Sequence, residues 1–394
     1  MNEQQLIDQF TRYFSGNTDN IRLFFAPGRV NLIGEHTDYN GGFVFPAALT
    51  IGTYMAVRQR NDGILHVRSE NFPLAVSFDA KKEIGNKAED DWANYPKGIV
   101  KELQTLGLEM SGADILYYGN IPNGAGLSSS ASIGMVTAYG LSRLEGSEIS
   151  ELELALLCQR VENTFIGVNS GIMDQFAVGF GKRNMAVFLN CDNNEFRRIP
   201  LNIGSCKLVI TNTNKRRGLA DSKYNERRSE CEQGLAELQQ HIPGLRNLGS
   251  LSLADFEKTE HVIKDEVIRK RVRHVVTEDD RVLKAVDALE KGDLKLFGDY
   301  MKQSHLSLRE DYEVTGKELD TLFVLQSQHD GCVGSRMTGA GFGGCTVSIV
   351  ESERVDHFMT EVGAAYEKQT GLNADFYVCD IGDGVQEKGR VKTI

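Results

Sequence analysis

The spacing of hydrophobic residues predicts an amphipathic helix at the start of the chain. Leu6, Phe10 and Phe14 recur every four residues, which is the spacing of one face of a helix. The helix is predicted to span residues 2–14. Its apolar face is expected to pack against the rest of the protein.

Further along the chain, apolar runs and turn residues predict a mixture of strands and helices. Residues 53–58 and 64–69 are predicted to be two strands, and the Asn-Asp-Gly turn at 61–63 predicts that they form a hairpin. The remaining predicted strands are 113–118, 185–191, 207–211, 346–350 and 375–379, and the remaining helices are 95–106, 150–165 and 224–238. Helices with separated strands indicate an α+β sandwich.

Residues 119–132, GNIPNGAGLSSSAS, combine a turn, a glycine-rich loop and the start of a helix. The turn at 122–124 ends the strand before it, and the three serines at 128–130 are residues that cap helix N-termini. Free N–H groups and the positive end of the helix dipole favour an anion here, phosphate above all. An ordinary capped helix is the alternative, although one cap requires one serine and not three.

Two other nucleotide-binding motifs are excluded. The chain has no G-x-x-x-x-G-K-[ST] loop and no HRD or DFG kinase motif. The glycine string at 339–344 matches G-x-G-x-x-G, but Cys345, Val347 and Ile349 then alternate with polar residues as in a strand. Because a dinucleotide fingerprint opens a helix at that point, we reject the dinucleotide-binding interpretation.

A dense polar cluster follows the first apolar run, within FFAPGRVNLIGEHTDY at residues 24–39. Mixed donors and acceptors beside glycines suit a small polyhydroxylated ligand, in which each hydroxyl needs a partner. The cluster consists of Arg29, Asn31, Glu35, His36, Thr37 and Asp38. A polar turn between strands is the alternative, and a metal site is disfavoured because no third ligand lies near the His-x-Asp pair.

Two carboxylates further along stand out by their surroundings. Glu162 has Cys158 and Ile166 at helical spacing, and a carboxylate among apolar neighbours is costly unless it is paired or binds a cation. It is therefore a candidate metal ligand, with a salt bridge as the alternative. Asp174 stands at a predicted helix start, where it could be catalytic or could complement the helix dipole.

Composition limits the class of protein. The 394 residues carry a net charge of -11, which argues against a nucleic-acid or anionic-membrane surface. We see no signal peptide and no apolar run long enough for a membrane helix. Seven scattered cysteines without a C-x-x-C pair predict reduced thiols in the cytoplasm. The length predicts two domains, which we divide as 1–200 and 201–394.

Three stretches together resemble the galactokinases within the GHMP kinase family. PNGAGLSSSAS is similar to the family's phosphate-binding motif, GRVNLIGEHTDY to the galactokinase signature, and MTGAGFGGC to the third, C-terminal motif. The motifs occur in the family's order, and the similarity spans nearly the whole chain. The resemblance implies an N-terminal domain like ribosomal protein S5 domain 2, a C-terminal ferredoxin-like α/β sandwich, and an active site in the cleft between them.

The resemblance also implies a reaction and a role for each matching residue. ATP, with Mg²⁺, would phosphorylate the anomeric hydroxyl of α-D-galactose; Asp174 would take its proton, and Arg29 would stabilise charge on the phosphoryl group. The implied sugar-binding residues are Glu35, His36, Thr37, Asp38, Asp174 and Tyr224. The implied nucleotide contacts are Ser69, Gly124, Ala125, Gly126, Leu127, Ser128, Ser129 and Ser130, and Ser130 and Glu162 would hold magnesium.

One residue departs from the family pattern: Ala340 stands where many relatives have glycine. We expect this methyl group to alter loop spacing more than activity. Two other functions are weighed, a galactose and ATP sensor without catalysis and a sister kinase for N-acetylgalactosamine. The intact SSSAS run and Asp174 favour the enzyme. Galactose and ATP are the expected partners, without nucleic acid or membrane, and the protein is expected to act as a monomer.

Overall fold

The computed structural model describes residues 1–16, 19–122, 124–215 and 220–390, so the predicted turn residue Asn123 lies outside the described residues. Helices are α1 (Glu3–Tyr13), α2 (Asn94–Thr105), α3 (Ser129–Leu144), α4 (Glu151–Arg160), α5 (Met173–Phe180), α6 (Ala220–Gln239), α7 (Leu253–Thr259), α8 (Glu266–Glu290), α9 (Leu294–Ser307), α10 (Gly316–Gln328) and α11 (Val355–Thr370). Single π-helical turns, Val161–Ile166 and Leu308–Tyr312, extend α4 and α9.

Strands are numbered in the same way along the chain. They are β1 (Arg22–Asn31), β2 (Phe43–Val44), β3 (Pro46–Gln59), β4 (Ile64–Ser69), β5 (Val76–Asp79), β6 (Ala113–Gly119), β7 (Met185–Asn190), β8 (Phe196–Pro200), β9 (Cys206–Asn212), β10 (Cys332–Thr338), β11 (Cys345–Glu351), β12 (Asp375–Cys379) and β13 (Gln386–Arg390). No helix within the described ranges is both long enough and apolar enough to cross a membrane.

The N-terminal half is built on a six-stranded sheet in the order β13-β1-β3-β6-β4-β5. Helices α2, α3, α4 and α5 supply the other side of its core, which includes Phe24 and Phe176. As predicted, α1 is amphipathic and buries Leu6 and Phe10 against Leu116 and other residues of the sheet. This packing makes the sheet a rigid support for the loops at its edge.

The predicted hairpin is wrong, although both of its strands exist. Strand β6 lies between β3 and β4, antiparallel to the first and parallel to the second. Two interactions draw the connecting turn to β6: Gly63 N–H donates to the carbonyl of Ser111 at 2.9 Å, and Arg58 and Arg60 both form ion pairs with Asp114. The turn residues therefore end one strand and direct the chain past β6.

The C-terminal half contains a four-stranded antiparallel sheet in the order β10-β11-β9-β12. Residues 339–344 lead directly into β11, so the rejection of the dinucleotide-binding interpretation is confirmed. Phe358 and Tyr366 of α11 pack on this sheet, and α9 contacts β10. The α+β class of the fold is therefore confirmed.

The last strand returns to the first half of the protein. Strand β13 pairs antiparallel with β1, with Arg22 opposite Arg390, and Arg22 also forms an ion pair with Glu387. A third, three-stranded sheet joins β2, β7 and β8. The division of the chain at residue 200 stays a prediction, with β13 attached to the N-terminal sheet.

Candidate active site

A polar cavity lies where residues from both halves of the chain meet. Nearly every segment that the sequence singled out contributes to its wall. The lining residues are Arg29, Glu35, His36, Asp38, Tyr39, Ser130, Glu162, Val168, Ser170, Gly171, Met173, Asp174, Tyr224, Gly339 and Ala340. Because charged groups and hydroxyls dominate this wall, the cavity suits a small polar ligand.

Arg29 and Asp174 form the central ion pair of this cavity. The guanidinium donates from Nε to Oδ1 at 2.7 Å and from Nη2 to Oδ2 at 3.0 Å, and Nη1 donates to the carbonyl of Gly126 at 2.8 Å. Ser128 donates its hydroxyl to Oδ2 of Asp174 at 2.5 Å. Asp174 occupies the first turn of α5, as predicted, and its carboxylate is held by Arg29 of β1 and by Ser128 of the glycine-rich loop.

The glycine-rich loop runs from Gly124 to α3. Ser128 stands immediately before the helix with a left-handed φ of 61° and makes no capping hydrogen bond. The prediction of a hydroxyl cap is therefore wrong for Ser128, because its hydroxyl is bonded to Asp174 instead. The N–H groups in the first turn of α3 are not used by this side chain, which favours an anion at the helix start.

Backbone contacts fix the shape of this loop. Ala125 and Leu127 are buried in the core, and Leu127 accepts a hydrogen bond from the N–H of Arg29 at 3.1 Å. A Cβ on Gly339 would lie 2.9 Å from the carbonyl oxygen of Gly126, so this close approach requires glycine. The glycine-rich loop and the glycine string at 339–344 are therefore in direct contact.

Glu35 is a buried carboxylate that links the two halves. It accepts hydrogen bonds from the N–H of Gly339 at 2.6 Å, from the Asn31 amide at 2.7 Å, and from Arg336 at 3.3 Å. Arg336 is itself fully buried. Sequence reasoning missed Arg336, whose only signal was its position immediately before the third motif.

His36 and Asp38 follow Glu35 along the cavity wall. Burial lowers the pKa of His36 to about 3, so the ring is neutral. Burial likewise raises the pKa of Asp38 to about 7, and the charge of Asp174 adds to the shift. A Cβ on Gly171 would meet Oδ2 of Asp38 at 2.0 Å, so glycine is required for this close approach.

The remaining predicted sugar contacts divide into two groups. Tyr224, on α6, lines the cavity, with its ring centroid 5.6 Å from that of His36. Thr37 is fully buried and does not line the cavity, because its hydroxyl donates to the carbonyls of Gly34 and Phe43. The Thr37 side chain therefore shapes the loop, and only its neighbours face the cavity.

Glu162 lies at the opposite wall on the π-helical turn that follows α4. Burial raises its pKa, and the hydroxyl of Ser170, 2.7 Å from Oε2, opposes that shift. Its Oε1 is buried without a hydrogen-bond partner among the described residues. A buried, incompletely bonded carboxylate near the hydroxyl of Ser130 offers the oxygen ligands that Mg²⁺ prefers. The residues present therefore fit this cation.

A second cavity adjoins the first at Ser130. The residues that line it are Thr53, Ser69, Asn71, Phe72, Trp92, Tyr95, Tyr117, Gly119, Ile121, Ser129, Ser130 and Ile133. Ser69 was predicted as a nucleotide contact, whereas the aromatic wall was missed. Trp92 Nε1 is buried there without a hydrogen-bond partner among the described residues, and the ring of Phe72 stacks on that of Trp92 with the centroids 6.4 Å apart.

Comparisons with known proteins agree with this arrangement. A galactokinase galactose-binding signature matches residues 8–59, the N-terminal domain of GHMP kinases matches 94–182, and their C-terminal domain matches 285–368. The mevalonate kinase of Methanococcus jannaschii has the same fold, with a TM-score of 0.65 at 20% identity over 94% of this chain and 100% of its own.

Two further comparisons are much closer. The galactokinase of Halalkalibacterium halodurans is 59% identical over 98% of each chain. The crystal structure of Lactococcus lactis galactokinase complexed with galactose superposes with a TM-score of 0.93 at 44% identity, over 98% of this chain and 99% of that one. The two-domain fold implied by the sequence is confirmed. The chain belongs to the galactokinase family of the GHMP kinases.

Proposed function

We propose that this protein transfers the γ-phosphoryl group of ATP to the anomeric hydroxyl of galactose, giving α-galactose 1-phosphate and ADP. The observation that carries the proposal is that the polar cavity, with Arg29 and Asp174 at its centre, meets the second cavity at Ser130. A sugar in the first and a nucleotide in the second would bring acceptor and phosphate together at that junction.

Galactose is assigned to the polar cavity. Glu35, His36, Asp38 and Tyr224 supply donors and acceptors for its hydroxyls, and the Thr37 hydroxyl holds the loop between them. Asp174 accepts the proton of the anomeric hydroxyl through the lone pairs that Arg29 and Ser128 do not use. The Lactococcus lactis relative, solved with galactose, supports this choice of sugar.

ATP is assigned to the glycine loop and the second cavity. The loop residues Gly124, Ala125, Gly126, Leu127, Ser128 and Ser129 surround the start of α3, where phosphates are stabilised by N–H groups and the helix dipole. Arg29 stabilises charge on the group in transfer. Ser69 and Trp92 then flank the base. Since Trp92 is the single tryptophan, quenching of its fluorescence by ATP and not by galactose tests this placement.

Magnesium is assigned to Ser130 and Glu162. The proposal is supported by the unpartnered Oε1 of Glu162 and by the presence of Ser130 in both cavities. Bound there, Mg²⁺ neutralises negative charge on the phosphates. The carboxylate of Glu162 holds the cation, and Ser170 orients that carboxylate through its 2.7 Å hydrogen bond.

An ADP-release assay with ATP and magnesium tests the proposal, run in parallel on galactose, glucose, N-acetylgalactosamine and no sugar. We expect turnover with galactose and background rates with the other three. Galactose binding without ADP release would identify a sensor instead of an enzyme. Turnover only with another sugar would leave the family intact and replace the substrate.

We also propose that the enzyme is a cytoplasmic monomer. Both cavities are lined by residues of one chain, so no second copy is required to complete them. Within the described residues no disulfide involves Cys158, Cys191, Cys206, Cys231, Cys332 or Cys379, which fits a reducing compartment. Sedimentation velocity of the purified protein tests the monomer, and a concentration-independent species of dimer mass would contradict it.

A further inference from the structure

Within the described ranges, one group of metal-ligating side chains lies outside the active site: His329, His357 and Glu361. Gly331 N–H donates to Nδ1 of His329 at 3.1 Å, so the proton of that neutral ring is on Nε2 and donates to Nδ1 of His357 at 3.1 Å. Nε2 of His357 in turn lies 3.2 Å from Glu361. These ring nitrogens are all satisfied by protein groups, so the group is complete without a cation.

A second hydrogen-bonded chain runs from the protein interior to the sugar cavity. Cys231 Sγ lies 3.1 Å from the hydroxyl of Tyr312, which lies 2.7 Å from the hydroxyl of Tyr39. The Tyr39 hydroxyl is 2.8 Å from Nδ1 of His36, and Nε2 of His36 is 3.2 Å from the carbonyl of Ala340. This series of hydrogen bonds connects α6, the π-helical turn after α9, the loop that holds His36 and Tyr39, and the glycine string at 339–344.

The Ala340 carbonyl, at the end of this series of hydrogen bonds, fixes which atom donates in each bond. The Ala340 carbonyl can only accept, so Nε2 of His36 carries the proton and Nδ1 presents its lone pair. Tyr39 therefore donates to His36, Tyr312 donates to Tyr39, and Cys231 donates to Tyr312. Each hydroxyl uses its single proton, and the arrangement selects one tautomer of His36.

The surroundings of His36 hold its ring in place. Its backbone has a left-handed φ of 63°, which is unfavourable for a residue with a side chain, and Asn40 bonds to its carbonyl at 2.9 Å. The rings of Tyr39 and Tyr312 lie 5.9 and 4.8 Å from the imidazole, centroid to centroid. Tyr312 is fully buried, so its hydroxyl depends on partners within the protein.

We propose that Tyr39 and Tyr312 are positioning residues for galactose, because their hydroxyls keep the proton of His36 on Nε2 and so present a hydrogen-bond donor to a sugar hydroxyl. This inference rests on the proposed place of His36 in the sugar site. The Nε2–H lies beside Ala340, which lines the same cavity, and its 3.2 Å bond is at the long end of the usual range. A sugar oxygen can share or replace that acceptor.

Other groups around His36 also act on its charge, and they stay unchanged when a tyrosine hydroxyl is removed. His274 on α8, Arg227 on α6 and Arg336 on β10 all disfavour a second proton on the ring. Around the cavity, Glu35, Asp38, Asp174 and the phenol of Tyr224 complete the set of titratable neighbours. Asp38 keeps its bond to the backbone N–H of residue 39 in a phenylalanine variant.

The test compares Tyr39→Phe and Tyr312→Phe with Tyr366→Phe. This control removes the hydroxyl of another buried tyrosine, which donates to the Thr213 carbonyl away from the cavity. We expect Tyr39→Phe to raise the galactose KM about three- to tenfold, the size expected for one misdirected hydrogen bond. Tyr312→Phe should raise it by a smaller factor. The KM for ATP should stay within about twofold in both variants.

The tautomer of His36 separates positioning from a general structural effect. In Tyr39→Phe, Nδ1 loses the proton that Tyr39 donates, so this nitrogen can carry the ring proton itself, and Nε2 then has none to offer a sugar hydroxyl. The population of the Nε2–H tautomer should therefore fall in Tyr39→Phe and stay unchanged in Tyr366→Phe. The His36 tautomer is read directly from long-range proton–nitrogen correlations of the histidine rings.

Three results would overturn the inference: a galactose KM in Tyr39→Phe equal to that of Tyr366→Phe, parallel increases in the KM values for galactose and ATP, or a His36 tautomer in Tyr39→Phe that is unchanged from the wild type. Should Tyr39→Phe fail to fold, Tyr312→Phe decides by the same measurements. A wild type that binds galactose without turnover would contradict the proposed function only. Calorimetric galactose affinities of the same variants then replace the KM values.

Discussion

Arg29 and Asp174 are joined by two parallel hydrogen bonds, 2.7 Å from Nε to Oδ1 and 3.0 Å from Nη2 to Oδ2. Burial alone would lower the pKa of Arg29, but the carboxylates around it, Asp174 first and then Glu35 and Asp38, raise it overall. The guanidinium is therefore charged at any working pH. Its third bond, to Gly126, ties the carboxylate to the glycine loop.

Replacing the carboxylate should separate catalysis from sugar binding. We expect Asp174→Ala to lower kcat by about 10²- to 10⁴-fold, the usual effect of losing a positioned proton acceptor. The galactose affinity should change little, because Glu35, His36 and Tyr224 still face the cavity. Single-turnover phosphoryl transfer and calorimetric galactose binding measure the two effects. Near-normal turnover in this variant would contradict the catalytic role of Asp174.

Replacing Arg29 by lysine should lower kcat, although the positive charge is kept. Arg29→Lys cannot make both bonds to Asp174 and the bond to Gly126. We expect kcat to fall about 10²- to 10³-fold, as when one donor to a developing charge is removed. Arg197→Lys, at an exposed pair with Glu290, serves as the control and should keep wild-type rates. Equal rates in the two variants would contradict the account.

Glu162→Gln should weaken magnesium binding and leave galactose binding unchanged. An amide keeps the shape of the carboxylate but loses its charge, so the half-saturating Mg²⁺ concentration should rise by about 10- to 100-fold. Glu148→Gln changes an exposed glutamate before α4 and is the matched control. The comparison is a Mg²⁺ titration of ADP release at saturating sugar. Superimposable Mg²⁺ titrations of the wild type and Glu162→Gln would favour a purely structural role for Glu162.

Asp38 should make galactose binding depend on pH. Its folded pKa of about 7 lies above the usual 3.8, so the carboxyl gains a charge as pH rises through 7. An ionised carboxylate accepts stronger hydrogen bonds from sugar hydroxyls, so the galactose KM should fall across that range. Asp38→Asn should give a flat profile between pH 5.5 and about 8.5. A wild-type KM without pH dependence would contradict this role.

The same shift has a defined effect on stability. A raised folded pKa means that the folded protein holds a proton that the unfolded chain has already lost. Asp38 therefore contributes most to the free energy of unfolding below pH 3.8. This contribution declines as the pH rises from 3.8 to about 7, where Asp38 ionises in the folded protein. The melting temperature of the wild type, relative to Asp38→Asn, should accordingly fall between these values and level off above pH 7.

The fold was largely predictable where a local pattern decides it. The four-residue spacing of Leu6 and Phe10 identified α1, and the alternation after the glycine string identified β11. The pairing of strands was not predictable, because nothing near the turn at 61–63 indicates that Asp114, more than 50 residues away, draws β6 between β3 and β4. Pairing partners depend on such long-range contacts.

The candidate site was predictable in its residues and less so in its contacts. The motif around Asp174 identified this residue as part of the site. The hydroxyl of Ser128, however, donates to Asp174 and does not cap α3 as the position of Ser128 in the sequence had suggested. Ala340 does not adopt a left-handed φ, whereas Phe342 does at 56°, so an alanine fits the third motif without backbone strain. Trp92 and Arg336 carry no motif, and only the folded chain brings Trp92 to the second cavity and Arg336 to Glu35.

The central claim is phosphoryl transfer to the anomeric oxygen of galactose, and product analysis tests it most directly. Galactose labelled with carbon-13 at C1 is incubated with ATP, magnesium and the enzyme, and the products are followed by carbon and phosphorus NMR. We expect one product, in which the labelled carbon is coupled to phosphorus with α configuration, formed in equal amount to ADP. Phosphate at another hydroxyl, or ADP without a phosphorylated sugar, would contradict the account.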